Sequence, residues 1–479
     1  MIEQLNDRQF LLAQLPVFRE QVERLLAPRR GRGRRDQAGA DGEPPLDAAD
    51  VGQAVERLDA LQSALETSPS GAPTRRRGAT DEQREPYLPE DPLISLMQSV
   101  LDAYFDERQP DAVQARVAGG SARRRGRPVV AEDQVLADMA PTSTSSSRRL
   151  FKKFQYTDPG WLGSAFAHAI RRLRDKHPFN RAPARTVTLP QRTRLVMVGD
   201  WGSGIPRAQT VARHMRTHIE QGVADQREVH VIHLGDVYYS GWSREYKKRF
   251  LPYWPVRVDE ADTITSWCLN ANHDMYSGGH GYFETLLADP RFRRHEGSSW
   301  FTLQHPDWTI VGLDTAWDEQ GLHDPRTTTG LADPQAEHLH ELTKQGAPPL
   351  VLLSHHQLFS AWEDPGPYLR LRLSDDVLDP GHVKAWFWAH EHRAVAYEPF
   401  GPLPFGRCIG HGGVPVWASG QPRAANGRPA VTWRETGVVT HGVERFAKFG
   451  FAVADLDGPG LRVRYFDEDD ACSFDEVIS

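Results

Sequence analysis

After position 190 the chain repeats one arrangement: a short apolar, β-rich run that stops on Asp, Asn or His. Arg194-Leu-Val-Met-Val-Gly199 runs into Asp200, Val229-His-Val-Ile-His-Leu234 into Gly235-Asp236, and Thr263-Ile-Thr-Ser-Trp-Cys-Leu269 into Asn272-His273-Asp274. Leu350-Val-Leu-Leu353 then leads to His355-His356, and Ala385-Trp-Phe-Trp388 to His390-Glu391-His392; Trp308-Thr-Ile-Val-Gly-Leu313 is a further run of the same kind. Short apolar runs bounded by polar turns read as buried strands, and with helical or loop segments between them they define an α/β chain. Near the C-terminus, Phe449 to Leu456 and Leu461 to Phe466 flank Asp457-Gly458-Pro459-Gly460, which reads as a hairpin closing a sheet.

The first 185 residues have a different texture. Arginine runs at Arg29 to Arg35, Arg75 to Arg77 and Arg123 to Arg127 sit among Gly, Ala, Pro and Asp, the composition of flexible, disordered linkers. Helical spacing appears over 8–26, 47–67, 92–107 (opened by Asp91-Pro92) and 158–176, where Leu162, Phe166, Ile170 and Leu173 form one stripe. The expected organisation is therefore a mostly helical N-terminal region with flexible linkers over 1–185 and a catalytic domain over 186–479. The basic residues beside the last helix would also suit an anionic membrane surface, but ordinary surface helices share that pattern. Phosphate neutralisation by the arginines leaves nucleic acid as a partner to consider. Against it stand the lack of interleaved aromatic residues and a net charge of −7.

No run reaches the ~20 apolar residues of a bilayer span, and the start, Met1-Ile-Glu-Gln-Leu-Asn-Asp, has neither a basic nor an apolar leader segment. Three cysteines, Cys268, Cys408 and Cys472, make no disulfide framework. The expectation is a cytoplasmic protein with reduced thiols.

In open α/β sheets, sites form beyond the carboxyl ends of strands, so the polar groups at the ends of the runs should converge in one cleft. Asp, Asn, Tyr and His are oxygen and imidazole donors, suited to Fe, Mn or Zn rather than to a thiolate site. Seven such ligands exceed the needs of one ion and suit two, provided that one carboxylate, most naturally Asp236 in its Gly-Asp turn, bridges both. Two ions ~3.5–4 Å apart hold a phosphate ester and make hydroxide available near neutral pH. That chemistry is phosphoester hydrolysis. Tyr238 and Tyr239, which follow Asp236, are each also readable as packed residues.

Over about residues 190–470 these blocks resemble the calcineurin-like metallophosphoesterase family, and their order is that of its motifs. Most members open with Asp-x-His. Here Asp200-Trp201-Gly202 resembles instead the purple acid phosphatase branch, in which a tyrosine three residues beyond the bridging aspartate replaces the histidine; Tyr239 stands there, followed by Ser240-Gly241. The resemblance implies a metallophosphoesterase-type β-sandwich of two mixed sheets flanked by helices. It also implies a first metal on Asp200, Tyr239 and His392, a second on Asn272, His355 and His390, and Asp236 between them. Fe3+ is implied at the Tyr239 site, since a phenolate adds negative charge, with Fe2+, Zn2+ or Mn2+ at the second. His273 is implied to face the phosphate and leaving group, with Asp274 holding its tautomer. The substrate would be a phosphate ester attacked by a metal-bound hydroxide, with phosphatase activity favoured over phosphodiesterase activity.

This sequence departs from the family at three points. Ala271 and Ala389 replace the usual glycines before Asn272 and His390, and Asp364 stands where a second catalytic histidine is usual. His356, His280 and His411 are candidate substitutes, each also readable as a loop histidine, whereas His230 and His233 read as packed strand residues. Two alternatives remain beside the hydrolase. One is a regulatory or interaction protein whose N-terminal region recruits a protein partner while the metal domain serves as a binding module; the other is a nuclease aided by the arginine runs.

Overall fold

The computed structural model describes residues 176–318, 330–363, 367–418, 427–441 and 444–479, with Leu88, 95–99, Asp102, Pro365 and Pro422. The helices expected over 8–26 and 47–67, the helix expected over 158–176 except for Lys176, which is described and not helical, the arginine runs and Asp364 lie outside the described residues. Within the expected helix 92–107, positions 95–99 and Asp102 are described and helical. The chain divides into two units, Met1–Arg174 and Asp175–Ser479.

In chain order the strands of the second unit are β1 (Val187–Thr188), β2 (Arg192–Val198), β3 (Glu228–His233), β4 (Ile264–Cys268), β5 (Phe301–Gln304), β6 (Thr309–Gly312), β7 (Leu350–Leu353) and β8 (Val383–Trp388). They continue as β9 (Ala394–Tyr397), β10 (Phe405–Ile409), β11 (Val431–Arg434), β12 (Val438–His441), β13 (Glu444–Ala447), β14 (Gly450–Asp457), β15 (Leu461–Asp467) and β16 (Cys472–Ile478). Its helices include α1 (Pro206–Ala224), α2 (Asn272–Met275) and α3 (Asp333–Lys344).

One sheet has the order β16-β15-β14-β2-β3-β4, the other β1-β5-β6-β7-β8-β10-β9-β11, with β12 and β13 a separate ribbon. Both large sheets are mixed: β2, β3 and β4 run parallel, as do β6, β7 and β8, while β14, β15 and β16 pair antiparallel. The expected hairpin forms between β14 and β15, with Leu456 paired to Leu461. This is the α/β chain that the apolar runs predict, in the two mixed sheets that the resemblance implies.

Alternation along each strand builds the layers. From β2, Leu195 and Met197 point into a central core that also receives Val351 and Leu353 of β7 and Ala385 and Phe387 of β8. Val196 and Val198 point the other way, onto Val211, Met215 and Ile219 of α1. On the far side Leu350, Leu352, Trp386 and Trp388 cover Leu339 of α3. Strands buried on both faces explain the unbroken apolar runs, and each fully buried Val, Leu or Ile contributes about 1.5–3 kcal/mol. Helix α1 starts at Pro206, whose fixed φ suits a first turn, after extended Ile205. His230 and His233 are buried in β3 as expected, His230 between Glu228 and the Trp267 indole.

Candidate functional site

Parallel pairing aligns the ends of the site-bearing strands: Val198 lies beside His233 and His233 beside Cys268, while Leu353 lies beside Phe387. The five sequence blocks therefore leave the two sheets at one edge of the sandwich. Four of their residues, Asp200 (φ 54°), Asp236 (φ 80°), His390 (φ 68°) and His392 (φ 51°), take left-handed backbone conformations. Such conformations cost of order 1–3 kcal/mol each outside glycine and cluster at functional sites.

His355, His356 and His390 form one group of donor atoms within 4.8 Å of one another, and Asp200, Asp236 and His392 form another. In the first group, His355 Nδ1 lies 3.0 Å from the Leu234 carbonyl, which only accepts, so Nδ1 holds the ring proton. The opposite atom, Nε2, is then a bare acceptor. It faces Asn272 Oδ1 at 2.8 Å, His390 Nδ1 at 3.2 Å and Asp236 Oδ1 at 3.6 Å. The Asn272 amide is turned this way because its Nδ2 donates to the Tyr276 hydroxyl at 2.8 Å. Acceptors facing acceptors in a buried site call for a cation between them, and this donor set fits an Fe, Mn or Zn ion. His356 stands beside the group, its Nδ1 at 3.0 Å from Thr315 Oγ1 and its Nε2 buried with no hydrogen-bond partner.

Asp236 joins the two groups: Oδ1 faces His355, and Oδ2 accepts from the Tyr238 hydroxyl at 2.8 Å. That hydroxyl is also 3.2 Å from His392 Nε2, and His392 Nε2 is 3.9 Å from Asp200 Oδ1. The phenol beside Asp236 and His392 is thus Tyr238, one residue before the position the resemblance implies. Tyr239 presents its ring to the Arg249 guanidinium, 4.0 Å from the ring centre, and its carbonyl to His273.

Burial pushes His355 down to about 4 and His392 to about 3, the nearby Asp236 charge notwithstanding, so both are neutral donors at neutral pH. Burial opposes ionisation of Asp236, yet the imidazoles of His355, His273 and His390 and the Tyr238 hydroxyl hold its carboxyl below the usual range.

His273 Nδ1 is 2.7 Å from the Tyr239 carbonyl, which fixes its proton there and leaves Nε2 buried with no hydrogen-bond partner. The expected tautomer is therefore held, but by a main-chain carbonyl and not by Asp274. Asp274 instead accepts from the main-chain N–H groups of Asp236 and Val237, both at 3.2 Å, and from Tyr246, whose contact sequence reasoning did not foresee. It shapes the turn that carries Asp236. Burial and the Asp236 charge push the Asp274 carboxyl up.

Ala271 and Ala389 are accommodated by glycines opposite them. A methyl on Gly235 would lie 2.6 Å from the Ala271 methyl, and one on Gly199 would overlap the Ala389 methyl. Ala271 is extended (φ −140°), a backbone conformation open to any residue. Of the candidate substitutes for the second catalytic histidine, His280 pairs with Glu284 at 2.9 Å, while His411 is buried beside a pocket that also contains His392.

Residues 193–394 match the family model described as calcineurin-like phosphoesterase, a stretch that holds all five blocks. No curated protein sequence matches the chain. Among solved structures, the GAP50 anchor in the inner membrane complex of Plasmodium is 11% identical, covers 60% of this chain and 89% of its own, and has a TM-score of 0.43. A 5'-nucleotidase from Candida albicans is 17% identical over 47% of each chain, with a TM-score of 0.27. A cold-active protein-tyrosine phosphatase of a psychrophilic Shewanella is 11% identical over 64% of this chain and 84% of its own, with a TM-score of 0.29.

Proposed function

We propose that residues 186–479 are a metal-dependent phosphoesterase domain that hydrolyses phosphate esters, monoesters before diesters, and that 1–185 form a separate region. The observation that carries this reading is His355 Nε2 against Asn272 Oδ1 at 2.8 Å, two acceptors held together at the end of parallel strands. Residues Asn272, His355 and His390 would hold one ion, Asp200, His392 and a tyrosine phenol the other, with Asp236 reaching both. Two carboxylates and a phenol favour a trivalent ion such as Fe3+ in the second set, leaving Fe2+, Zn2+ or Mn2+ for the first. When bound, the pair supplies Lewis acidity toward the phosphoryl oxygens and lowers the pKa of a water.

The chain's own part is to orient and to move protons. His273 presents Nε2 to the site while Nδ1 stays on the Tyr239 carbonyl, so it can exchange a proton with the departing alcohol without turning. Asp274 and its two main-chain donors keep the Asp236 turn rigid. No helix among the described residues is long and apolar enough to cross a membrane.

The test is hydrolysis of p-nitrophenyl phosphate and bis-p-nitrophenyl phosphate by protein loaded with Mn2+ or iron, beside Asp236→Ala. Turnover that vanishes together with metal content in the variant supports the reading. Full activity in Asp236→Ala would end it, and a metal-loaded wild type inert toward both esters would leave a binding module.

A further inference from the structure

A pocket adjoins the candidate centre through His392 and is walled by Trp362, Arg393, His411, Trp417 and Lys448. Its charged groups are unequally engaged. Lys448 is bound by Asp467 and Asp469, each at 2.6 Å, and Glu435 on the wall accepts from the Gly437 N–H at 2.5 Å. Burial keeps His411 near 4 and therefore neutral. Arg393 is different. Its guanidinium lies 4.9 Å from the centre of the Trp362 ring, and its buried Nε has no hydrogen-bond partner. The Trp362 side chain is 6% exposed, and its indole Nε1 is likewise buried and unpartnered. Two N–H donors without acceptors thus line one pocket beside the place where a phosphoryl group would sit, and each carries a desolvation cost that an acceptor from outside the chain would relieve.

We propose that this pocket binds an oxyanion carried by the substrate beyond its scissile phosphoryl group, with Arg393 and the Trp362 indole as donors. The inference rests on the phosphoesterase reading for the position of the scissile group. It deepens that reading by naming the substrate class: a phosphate ester whose alcohol portion bears a second anionic group, carboxylate or phosphoryl. Arg393 follows His392 directly, so the arginine that selects the substrate and the imidazole that would hold the metal are fixed by one turn. A neutral alcohol leaves both donors unsatisfied and binds more weakly, which is how a site built to hydrogen-bond one group rejects substrates lacking it.

Three non-hydrolysable probes of one length separate the possibilities: ethylphosphonate, 2-carboxyethylphosphonate and 1,2-ethylenediphosphonate, each titrated into the metal-loaded full chain by calorimetry. A charge-assisted hydrogen bond corresponds to about tenfold or more in affinity. The wild type should therefore bind one or both anion-bearing probes at least about tenfold more tightly than ethylphosphonate. The probe whose advantage depends more on Arg393 identifies carboxylate or phosphoryl as the native group. In Arg393→Ala that ratio should fall toward one, in Arg393→Lys it should be partly restored, and in Trp362→Phe, which keeps the ring and removes the N–H, it should drop in part. A wild-type ratio near one, or a ratio unmoved by Arg393→Ala and Trp362→Phe alike, overturns the proposal. Turnover of p-nitrophenyl phosphate and bis-p-nitrophenyl phosphate, each raised to saturation in the same samples, judges the hydrolase reading separately, because a preserved ratio without hydrolysis of either ester sinks that reading and leaves the oxyanion pocket standing.

Discussion

The imidazole Nε2 of His355 lies 2.8 Å from Oδ1 of Asn272, and neither atom has a proton to place between them. The Leu234 carbonyl has claimed the proton of His355 at Nδ1, and the Asn272 amide nitrogen is turned toward Tyr276. A cation between them would satisfy both.

Metal binding should therefore show as stability. A ligand bound at a hundredfold its dissociation constant stabilises the folded state by about 2.7 kcal/mol, which raises the melting temperature of a domain of this size by roughly 5 °C. Adding Mn2+, Zn2+ or iron to chelator-treated protein should produce such a rise in differential scanning fluorimetry. Asn272→Leu, which removes one acceptor, should shrink it. No shift with any of the three metals would mean that the acceptors are held together by something else.

The two tyrosines are separable by colour. If iron occupies the Asp200, Asp236 and His392 group, the Tyr238 hydroxyl, 2.8 Å from Asp236 and 3.2 Å from His392, is the phenol placed to bind it. Tyr238→Phe should then abolish the visible absorption of iron-loaded protein, while Tyr239→Phe, which keeps the ring over Arg249, should retain it. The reverse result would restore the position that the family resemblance implies.

Much of this was legible in the residues. Strands β2, β3, β7 and β8 are buried on both faces, so their apolar runs are unbroken and the ligands at their ends are conspicuous. Strand β16 was not readable because it is a sheet edge: Cys472, Ser473 and Asp475 are exposed, and the acidic side chains mask the alternation. The nearness of the Tyr238 hydroxyl to Asp236 was hidden for a related reason: it lies in a turn where neither the strand period nor the helix period applies. The left-handed backbone at Asp200, Asp236, His390 and His392 was equally hidden, since no glycine marks it. Arg393 and Trp362 lie far apart in sequence, and no spacing rule joins them.

Acid should weaken the fold. His233, His295, His355, His392 and His411 are held by burial to about 3, 4, 4, 3 and 4, whereas the unfolded chain takes up protons near 6.5. A folded-state value below the unfolded one gives stability that is complete above pH 6.5 and lost as pH falls toward 4, at up to 1.36 kcal/mol per group per pH unit. Burial lowers His218, His338 and His356 as well, while Glu391, raised by burial to about 7, and Asp274 and Asp314, also raised, act in the opposite sense; three carboxyls do not offset eight imidazoles. The urea midpoint of chelator-treated protein should accordingly fall steeply between pH 6.5 and 5. A midpoint constant from pH 7.5 to 5 would show that these imidazoles are not buried as neutral rings.

Gly410 tests whether the Asp200 carboxylate is placed by packing. A methyl at Gly410 would overlap Asp200 Oδ2 and lie 3.0 Å from the carbonyl carbon and 3.1 Å from the Cα of Ala389. Asp200 already holds a left-handed backbone, and Ala389 is main chain at the close approach, so neither yields cheaply. Gly410→Ala should cost about 1–3 kcal/mol and, more tellingly, should displace the carboxylate, so that one equivalent of metal is lost while the His355 and Asn272 group keeps its own. Gly460→Ala is the control, because a methyl there meets only Val477 Cγ1 at 3.7 Å, an ordinary contact. Metal content per chain, measured on both variants after equilibration with excess ion and desalting, decides the matter: two equivalents retained in Gly410→Ala would show that Asp200 does not hold an ion at the position its neighbours define.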